Sequence, residues 1–213
     1  MCKQYEYTIA ITNRALVQGD FLEQMQKVIH LRPHAVILRE KDLSNEEYEM
    51  LAEKILEMCS ESGVCCFLHS RISVAHNLGC RNIHISIPVL ETMGQEERIR
   101  LKRDFQEISV SCHSMEDMNF AVKNGATQII LGTIFETECK KGLKGKGLEF
   151  VREICKACPV PVYAIGGNQP GTVAAGNGRG RSRRVYDVWF YEDLESGVAC
   201  LIVSSNKQAT FVK

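Results

Sequence analysis

ISVSCHSMEDMNFAVKNGATQIIL, residues 108–131, decides the fold, because it contains one complete strand–helix–strand unit. The apolar run 108–112 predicts a strand, and Ser114 is a typical N-cap for the helix that follows. Gly125 stands where that helix should end, and the apolar run 128–131 predicts a second strand. Strands joined by a crossover helix lie parallel, so this stretch predicts a parallel sheet covered by helices.

The same alternation runs through the first 167 residues of the chain. A long helix is predicted from Ser44, which forms a capping box with Glu47, to Ser62, and Gly63 ends it. Seven strands that alternate with helices favour a (β/α)₈ barrel over a doubly wound open sheet, and the absence of a Gly-x-Gly-x-x-Gly after the first strand favours it too. The predicted strands are 7–12, 35–38, 64–68, 82–85, 108–112, 128–131 and 162–165; the predicted helices are 21–30, 44–62, 72–78, 96–104, 114–124 and 148–157.

Composition excludes several classes of function. The 26 basic and 26 acidic residues balance, so the chain of 213 residues has no global field to hold nucleic acid or an acidic membrane. No apolar run approaches the roughly 18–20 residues of a membrane helix. The first residues lack the apolar stretch of a secretory signal, so the ten cysteines are predicted to be reduced thiols of a cytoplasmic protein.

Polar and basic side chains cluster where the predicted strands end. Cations, hydroxyls and glycines that converge on one mouth of a barrel are suited to a phosphorylated small molecule. Each residue alone also has an ordinary explanation, as a solvated charge or a core histidine, and the alternatives stay open for any one of them. The candidate positions are Arg39, Lys41, His69, His84, His113, and the run from Gly132 to Gly142 together with Gly166 and Gly167.

Several motifs, in this order, resemble the thiamine phosphate synthases and their TenI relatives over residues 5–167. The match rests on ITNR (11–14), LREK (38–41), SCHSMEDMNFAVKNGA (111–126), GxxFxTxxK (132–140), GLEF (147–150) and PVYAIGG (161–167). The resemblance implies a (β/α)₈ barrel that binds thiazole phosphate. A synthase joins this compound to hydroxymethylpyrimidine diphosphate and releases pyrophosphate with the help of Mg²⁺.

The resemblance also implies roles for individual residues. Arg39, Lys41 and Lys140 match the cations that face the diphosphate in a synthase. Thr137, Gly166 and Gly167 match positions near the thiazole phosphate, and His69 lies at the same mouth. Guanidinium and ammonium groups suit this role because negative charge builds on the leaving group in the transition state.

Three departures from the synthase pattern point to the TenI-like branch. Ile37 stands where synthases have Gln, and His69-Ser70 replaces an Asn-Asp pair whose Asp binds Mg²⁺. No acidic residue follows His84, where synthases place a second metal ligand. The resemblance therefore favours a thiazole tautomerase, in which His113 shuttles a proton and no metal is needed, since imidazole suits proton transfer near neutral pH.

Two alternatives remain open at this stage. The first is thiamine phosphate synthase itself, with Mg²⁺ as cofactor although the expected carboxylates are absent. The second is a non-catalytic regulator that binds thiazole phosphate or thiamine phosphate. The family resemblance also allows a homo-oligomer.

The regular pattern stops at Gly167, and we expect a divergent tail over 168–213. No helix follows the seventh strand at the earlier pace, and a run at 197–204 could form a late eighth strand. Our main hypothesis is a shifted reading frame that makes this tail poorly ordered. Read one nucleotide late, the single codon of Trp189 followed by Phe190 must encode Gly, and 181–193 can encode a glycine-rich segment. The chain would then lack its eighth strand, part of its phosphate site and its activity, and the edges of strands one and seven would be exposed.

Resequencing the coding region from the Ile165 codon to the stop tests the hypothesis of a shifted frame. We expect one base missing or extra near the Gly167 codon. A confirmed frame, together with a tail peptide detected by mass spectrometry, would show instead that residues 168–213 are a true divergence.

Overall fold

The computed structural model describes residues 8–17, 19–134, 146–165, 190–193 and 198–202. Seven parallel strands follow one another in space in chain order, and a hairpin of two further strands joins the sheet beside the first. This arrangement confirms the predicted α/β barrel with an eighth unit replaced. The strands are β1 Thr8–Thr12, β2 Ala35–Leu38, β3 Cys65–His69, β4 Asn82–Ser86, β5 Glu107–Cys112, β6 Gln128–Gly132, β7 Val162–Ile165, β8 Phe190–Asp193 and β9 Val198–Ile202.

Helices alternate with the parallel strands. The capping box of Ser44 and Glu47 is present, and Gly63 ends its helix in the left-handed conformation with φ of 66°. Ser114 caps its helix through its side chain, as predicted. The helices are α1 Phe21–His30, α2 Asn45–Ser62, α3 Ile72–Asn77, α4 Ile87–Thr92, α5 Gln95–Asp104, α6 Met115–Lys123 and α7 Gly147–Ala157, with a short 3-10 helix at Arg14–Leu16.

Alternation along each strand divides the core into two layers, because successive side chains point to opposite faces. The outer layer packs the strands against the helices and holds most of the buried apolar residues. The inner layer fills part of the barrel. It consists of Ile9, Ala35, Ile37, Phe67, Ile130 and Tyr163, with Ile11 and Ile165 packed against it.

Between residues 8 and 165 the predicted bounds are close to the observed ones, and two elements were missed there; strand β8, further along the chain, was also not predicted. The third strand begins and ends one residue later than predicted. Helix α4 was not predicted, although Pro88 stands in its first turn, where proline is favoured. The 3-10 helix at Arg14–Leu16 was also missed, because three residues are too few to show a period.

The edge of β1 is covered, which corrects our expectation that it would be exposed. Strand β9 pairs antiparallel with all five residues of β1, and β8 pairs antiparallel with β9. The late strand that the run at 197–204 could form, the alternative to our main hypothesis, is present as Val198–Ile202. Strand β9 also contacts β7. It runs antiparallel to β1, whereas the eighth strand of a (β/α)₈ barrel would run parallel to it. The boundary proposed at 167 lies outside the described residues.

Two general properties follow from the described part of the chain. The seven cysteines of residues 8–134 and 146–165 are free thiols, five of them buried. None of the helices between residues 8 and 165 is both long and apolar enough to cross a membrane.

Tyr48 of α2 links the ends of β2 and β3. Its buried hydroxyl donates to the carbonyl of Leu38 at 2.6 Å and accepts from the backbone N–H of His69 at 3.0 Å. Burial raises the pKa of this phenol, so the hydroxyl keeps its proton and can act as donor. A single helix residue thereby holds the carboxyl ends of two neighbouring strands in position relative to each other.

We predict that Tyr48→Phe lowers the free energy of unfolding by about 1–3 kcal/mol, because two buried backbone groups lose a partner. Urea denaturation measures the change. The matched control is Tyr163→Phe, since no described residue is hydrogen-bonded to the Tyr163 hydroxyl. Equal losses in the two variants would contradict the bridging role of Tyr48.

Candidate active site

The carboxyl ends of β2 to β6 meet at one mouth of the barrel, because these strands are parallel. The register places His69 beside His84, and Ser86 beside Ser111. Arg39 and Lys41 follow β2 directly, and His113 follows β5. The structure thus brings the predicted residues Arg39, Lys41, His69 and His113 to the same end of the barrel.

A buried carboxylate joins the loop after β1 to the end of β2. Glu40, only 3% exposed, accepts from the Thr12 hydroxyl at 2.6 Å and from the backbone N–H of Arg14 at 3.0 and 3.2 Å. The Thr12 hydroxyl oxygen in turn accepts from the backbone N–H of Arg39 at 2.9 Å. The Arg14 guanidinium lies 3.5 Å from Glu40 and 2.6 Å from Asp42. Glu40 therefore holds Arg39 at the mouth through backbone contacts, while its own charge is balanced by Arg14.

His69 stands among basic groups at the end of β3. Burial, and then the positive charges of Arg39, Lys41 and Arg71, lower the pKa of His69 to about 4. Its Nδ1 lies 2.6 Å from the hydroxyl of Ser70. The imidazole is therefore neutral near pH 7, and the charge at this part of the mouth comes from the arginines and the lysine.

The backbone at Ser70 is unusual. It adopts a left-handed conformation with φ of 58°, which non-glycine residues rarely do. Its N–H donates to the carbonyl of His84 at 2.8 Å, which ties the end of β3 to β4. This turn directs the chain after His69 toward Arg71 and α3.

His84 lies inside the barrel between two serines. Its Nδ1 is 2.8 Å from the Ser109 hydroxyl, and its Nε2 is 2.8 Å from the Ser111 hydroxyl. A hydroxyl can donate or accept, so both ring nitrogens are satisfied while the ring stays neutral. Burial, followed by His69 and Arg39, lowers the pKa of His84 to about 3. The ring of His69 packs edge-on against it, with centroids 5.3 Å apart.

His113 is held in one tautomer. Its Nδ1 lies 2.6 Å from the carbonyl oxygen of Gly132, which can only accept, so Nδ1 carries the proton and Nε2 keeps a lone pair. The backbone N–H of His113 donates to Asp117 at 2.6 Å, and Lys146 donates to its carbonyl. In this tautomer the exposed imidazole can accept a proton at Nε2, which is the chemistry of a general base.

Glycine at 132 is required by close packing. A Cβ there would lie 2.6 Å from Cγ2 of Ile165 and 3.7 Å from Cε1 of His113. The approach of β6 to β7, and the contact of His113 with the Gly132 carbonyl, therefore depend on the missing side chain.

The remaining predicted site residues, Thr137, Lys140, Gly166 and Gly167, lie outside the described residues. Sequence reasoning gave no role to Glu40, Ser109, Ser111, Tyr48 or Arg71. The inward alternation of Ser109 and Ser111 along β5 was the available signal for two of them. The roles of Glu40 and Tyr48 depend on contacts between elements, which no local pattern reveals.

The described residues do not fit the Mg²⁺ site of the synthase pattern. Magnesium prefers carboxylate oxygens, but the ends of β3 and β4 supply imidazole and hydroxyl groups. Glu40 and Asp42 are paired with Arg14. Within residues 8–134 and 146–165, no group of three or more His, Cys, Asp or Glu side chains could hold a metal.

Fold and site together define a (β/α) barrel with a basic mouth at the carboxyl ends of its strands. A sequence profile described as thiamine monophosphate synthase matches residues 8–180, and on this match the chain belongs to that family. It is 32% identical to the thiamine-phosphate synthase of Caldanaerobacter subterraneus, over 78% of this chain and 77% of the relative. It is 28% identical to a putative thiamine-phosphate synthase 2 of Aquifex aeolicus, over 74% of this chain and 83% of the relative.

A solved structure supports the fold. The thiamine phosphate pyrophosphorylase from Pyrococcus furiosus superposes with a TM-score of 0.65 and 23% identity, over 78% of this chain and 77% of that one. The family predicted from the motifs is thus confirmed. The names of the sequence relatives favour the synthase alternative over our first choice, the tautomerase.

We predict that Glu40→Gln lowers the free energy of unfolding by about 1–3 kcal/mol, because a buried, charge-assisted acceptor is lost. Urea denaturation measures this loss. Asp42→Asn is the matched control: its side chain is 70% exposed, and an exposed ion pair contributes little. A loss in Asp42→Asn as large as that in Glu40→Gln would contradict the role given to the buried carboxylate.

Proposed function

We propose that this protein is a thiamine phosphate synthase, which joins hydroxymethylpyrimidine diphosphate to thiazole phosphate in thiamine biosynthesis. The observation that supports this proposal is the convergence of Arg39, Lys41 and Arg71 around His69 at adjacent strand ends. Membership of the family, and relatives named thiamine-phosphate synthase, support the same reaction.

The reaction needs positive charge at the leaving group. A new bond to the thiazole forms as the carbon–oxygen bond to the diphosphate breaks, and pyrophosphate departs with the bonding electrons. Arg39 and Lys41, at the end of β2, would bind the diphosphate and stabilise the charge that develops on it. Lys140 is proposed to join them, with Thr137, Gly166 and Gly167 near the thiazole phosphate; these four lie outside the described residues.

No step of the proposed reaction depends on Mg²⁺. Synthases of the pattern described above use the metal beside the diphosphate, whereas His69 and Ser70 occupy the matching place here. The described cations would have to supply the electrostatic stabilisation in its place.

The tautomerase remains a second candidate because of the geometry of His113. Its Nδ1–H is directed to the Gly132 carbonyl, which leaves Nε2 able to accept a proton from a bound thiazole carboxylate phosphate and return it to another atom. This activity requires one substrate and no metal.

The hypothesis of a shifted frame after residue 167 bears on both candidates. In a barrel of this kind the phosphate is bound by loops that follow strands seven and eight. We propose that the chain with the restored frame has the complete site, and that the 213-residue chain turns over slowly or not at all.

We predict that the frame-restored chain forms thiamine phosphate from both substrates, and that Arg39→Ala lowers kcat by about 100-fold, the effect of removing one transition-state donor. Mass spectrometry of the product measures it. Lys54→Ala, on the exposed face of α2, is the matched control and should leave the rate unchanged.

The same preparations distinguish the second candidate. Conversion of the single thiazole substrate, lost in His113→Ala while thiamine phosphate is not formed, would favour the tautomerase. A rate unaffected by Arg39→Ala would contradict the role proposed for the basic mouth.

A further inference from the structure

We infer that the mouth between β2 and β3 binds an oligophosphate anion without a divalent cation, and that His69 takes up one proton as the anion binds. The inference rests on the proposed function in one respect: the choice of an oligophosphate as the anion comes from the proposed synthase reaction. It concerns binding, which can be measured without turnover.

We call basic recess the group formed by His69 and the three cations that act on its ring, Arg39, Lys41 and Arg71. Arg71 is held firmly: its guanidinium donates to Asn45 Oδ1 at 2.5 Å and to the Leu43 carbonyl at 2.6 Å. It also lies 5.2 Å from the centre of the Tyr48 ring. A fixed guanidinium provides charge at a defined place and loses little side-chain freedom when an anion binds.

His69 is held just as firmly. Tyr48 accepts from its backbone N–H, Ser70 contacts its Nδ1, and His84 packs against its ring. The half-buried ring therefore cannot leave the recess without breaking several contacts. It stays within the field of the three cations.

The groups around His69 come from several neighbouring elements, and the described charges that act on its ring are all basic. The segment after β2 contributes Arg39 and Lys41, and the segment after β3 contributes Arg71. Strand β4 contributes neutral His84, and α2 contributes the Tyr48 hydroxyl. The nearby acids Glu40 and Asp42 are paired with Arg14.

This arrangement couples anion binding to protonation. Before an anion binds, burial and three cations hold the pKa of His69 at about 4, so the ring is neutral near pH 7. An anion cancels the field of the cations and stabilises an imidazolium, so the pKa rises in the complex. Between the two values, binding takes a proton from solvent, and affinity increases as the pH falls through that window.

The imidazolium would supply positive charge at the place where the synthase pattern has a metal ligand. Neither His69 nor Ser70 offers the carboxylate oxygen that Mg²⁺ prefers. A protonated imidazole offers instead an N–H donor and a full charge, which suit a phosphate oxygen.

Calorimetry with inorganic pyrophosphate tests the inference on the full 213-residue chain. Titrations in EDTA, at about pH 5.5 and about pH 7.5, in two buffers of different ionisation enthalpy, count the protons taken up. The key variant is His69→Gln. The matched control is His76→Gln, whose exposed ring on α3 faces Asp104 at 3.6 Å, away from the recess.

We expect wild type and His76→Gln to bind pyrophosphate in EDTA and to take up a larger fraction of a proton than His69→Gln. On lowering the pH, both should gain about tenfold more affinity than His69→Gln, the factor expected if the pKa of His69 in the complex lies about one unit above pH 5.5. The protonation of pyrophosphate itself is common to all three proteins and cancels. Binding that requires Mg²⁺, or equal proton uptake in all three, would overturn the inference.

An NMR titration of the His69 ring in the wild-type chain gives a second measurement, independent of whether His69→Gln folds. The pKa should rise from about 4 to about 6.5 or above when pyrophosphate is added, and an unchanged pKa would overturn the inference. If pyrophosphate binds with proton uptake but no thiamine phosphate forms, the proposed function fails and this inference stands. If thiamine phosphate forms only with Mg²⁺ and binding shows no proton uptake, the reverse holds.

Discussion

The structure depends on the parallel hydrogen-bonded ladder from β1 to β7. This ladder puts every carboxyl end at one mouth, and its register sets which side chains become neighbours. His69 and His84 meet because they are register partners on β3 and β4. Alternation then directs Ser109 and Ser111 to the inside, where they bind the His84 ring. A shift of one residue in this register would turn all of these groups outward.

The buried ionisable groups at this mouth are either paired with an opposite charge or kept neutral. Glu40 is buried, but the Thr12 hydroxyl and the Arg14 backbone N–H donate to it, and the Arg14 guanidinium lies beside it. His84 is buried and stays neutral, because two hydroxyls satisfy its ring and burial disfavours the charged form. The net result is a recess in which the charged groups that act on His69, within the described part of the chain, are all basic. An anionic ligand is therefore the partner that such a recess stabilises best.

The strands and helices of the first 165 residues could be predicted because each repeats a simple local pattern. The caps at Ser44, Gly63 and Ser114 are local features, so their positions were correct. Helix α4 was missed because its six residues cover fewer than two turns and follow β4 without a polar break. The cover of β1 by β9 was also missed, since pairing between segments so far apart in the chain has no local signal.

The site, like the fold, could be predicted only as far as local sequence patterns determine it. By itself, the sequence determined the family, the alternation of strands and helices, and the set of residues at the strand ends, because all of these follow from local motifs and spacing. Only the tertiary structure decided which of those residues meet. The environment of His69, the pairing of Glu40 with Arg14 and the tautomer of His113 all depend on atoms contributed by separate elements. Hydrogen bonds and electrostatic interactions act over a few ångströms in space, so these properties exist only once the barrel has formed.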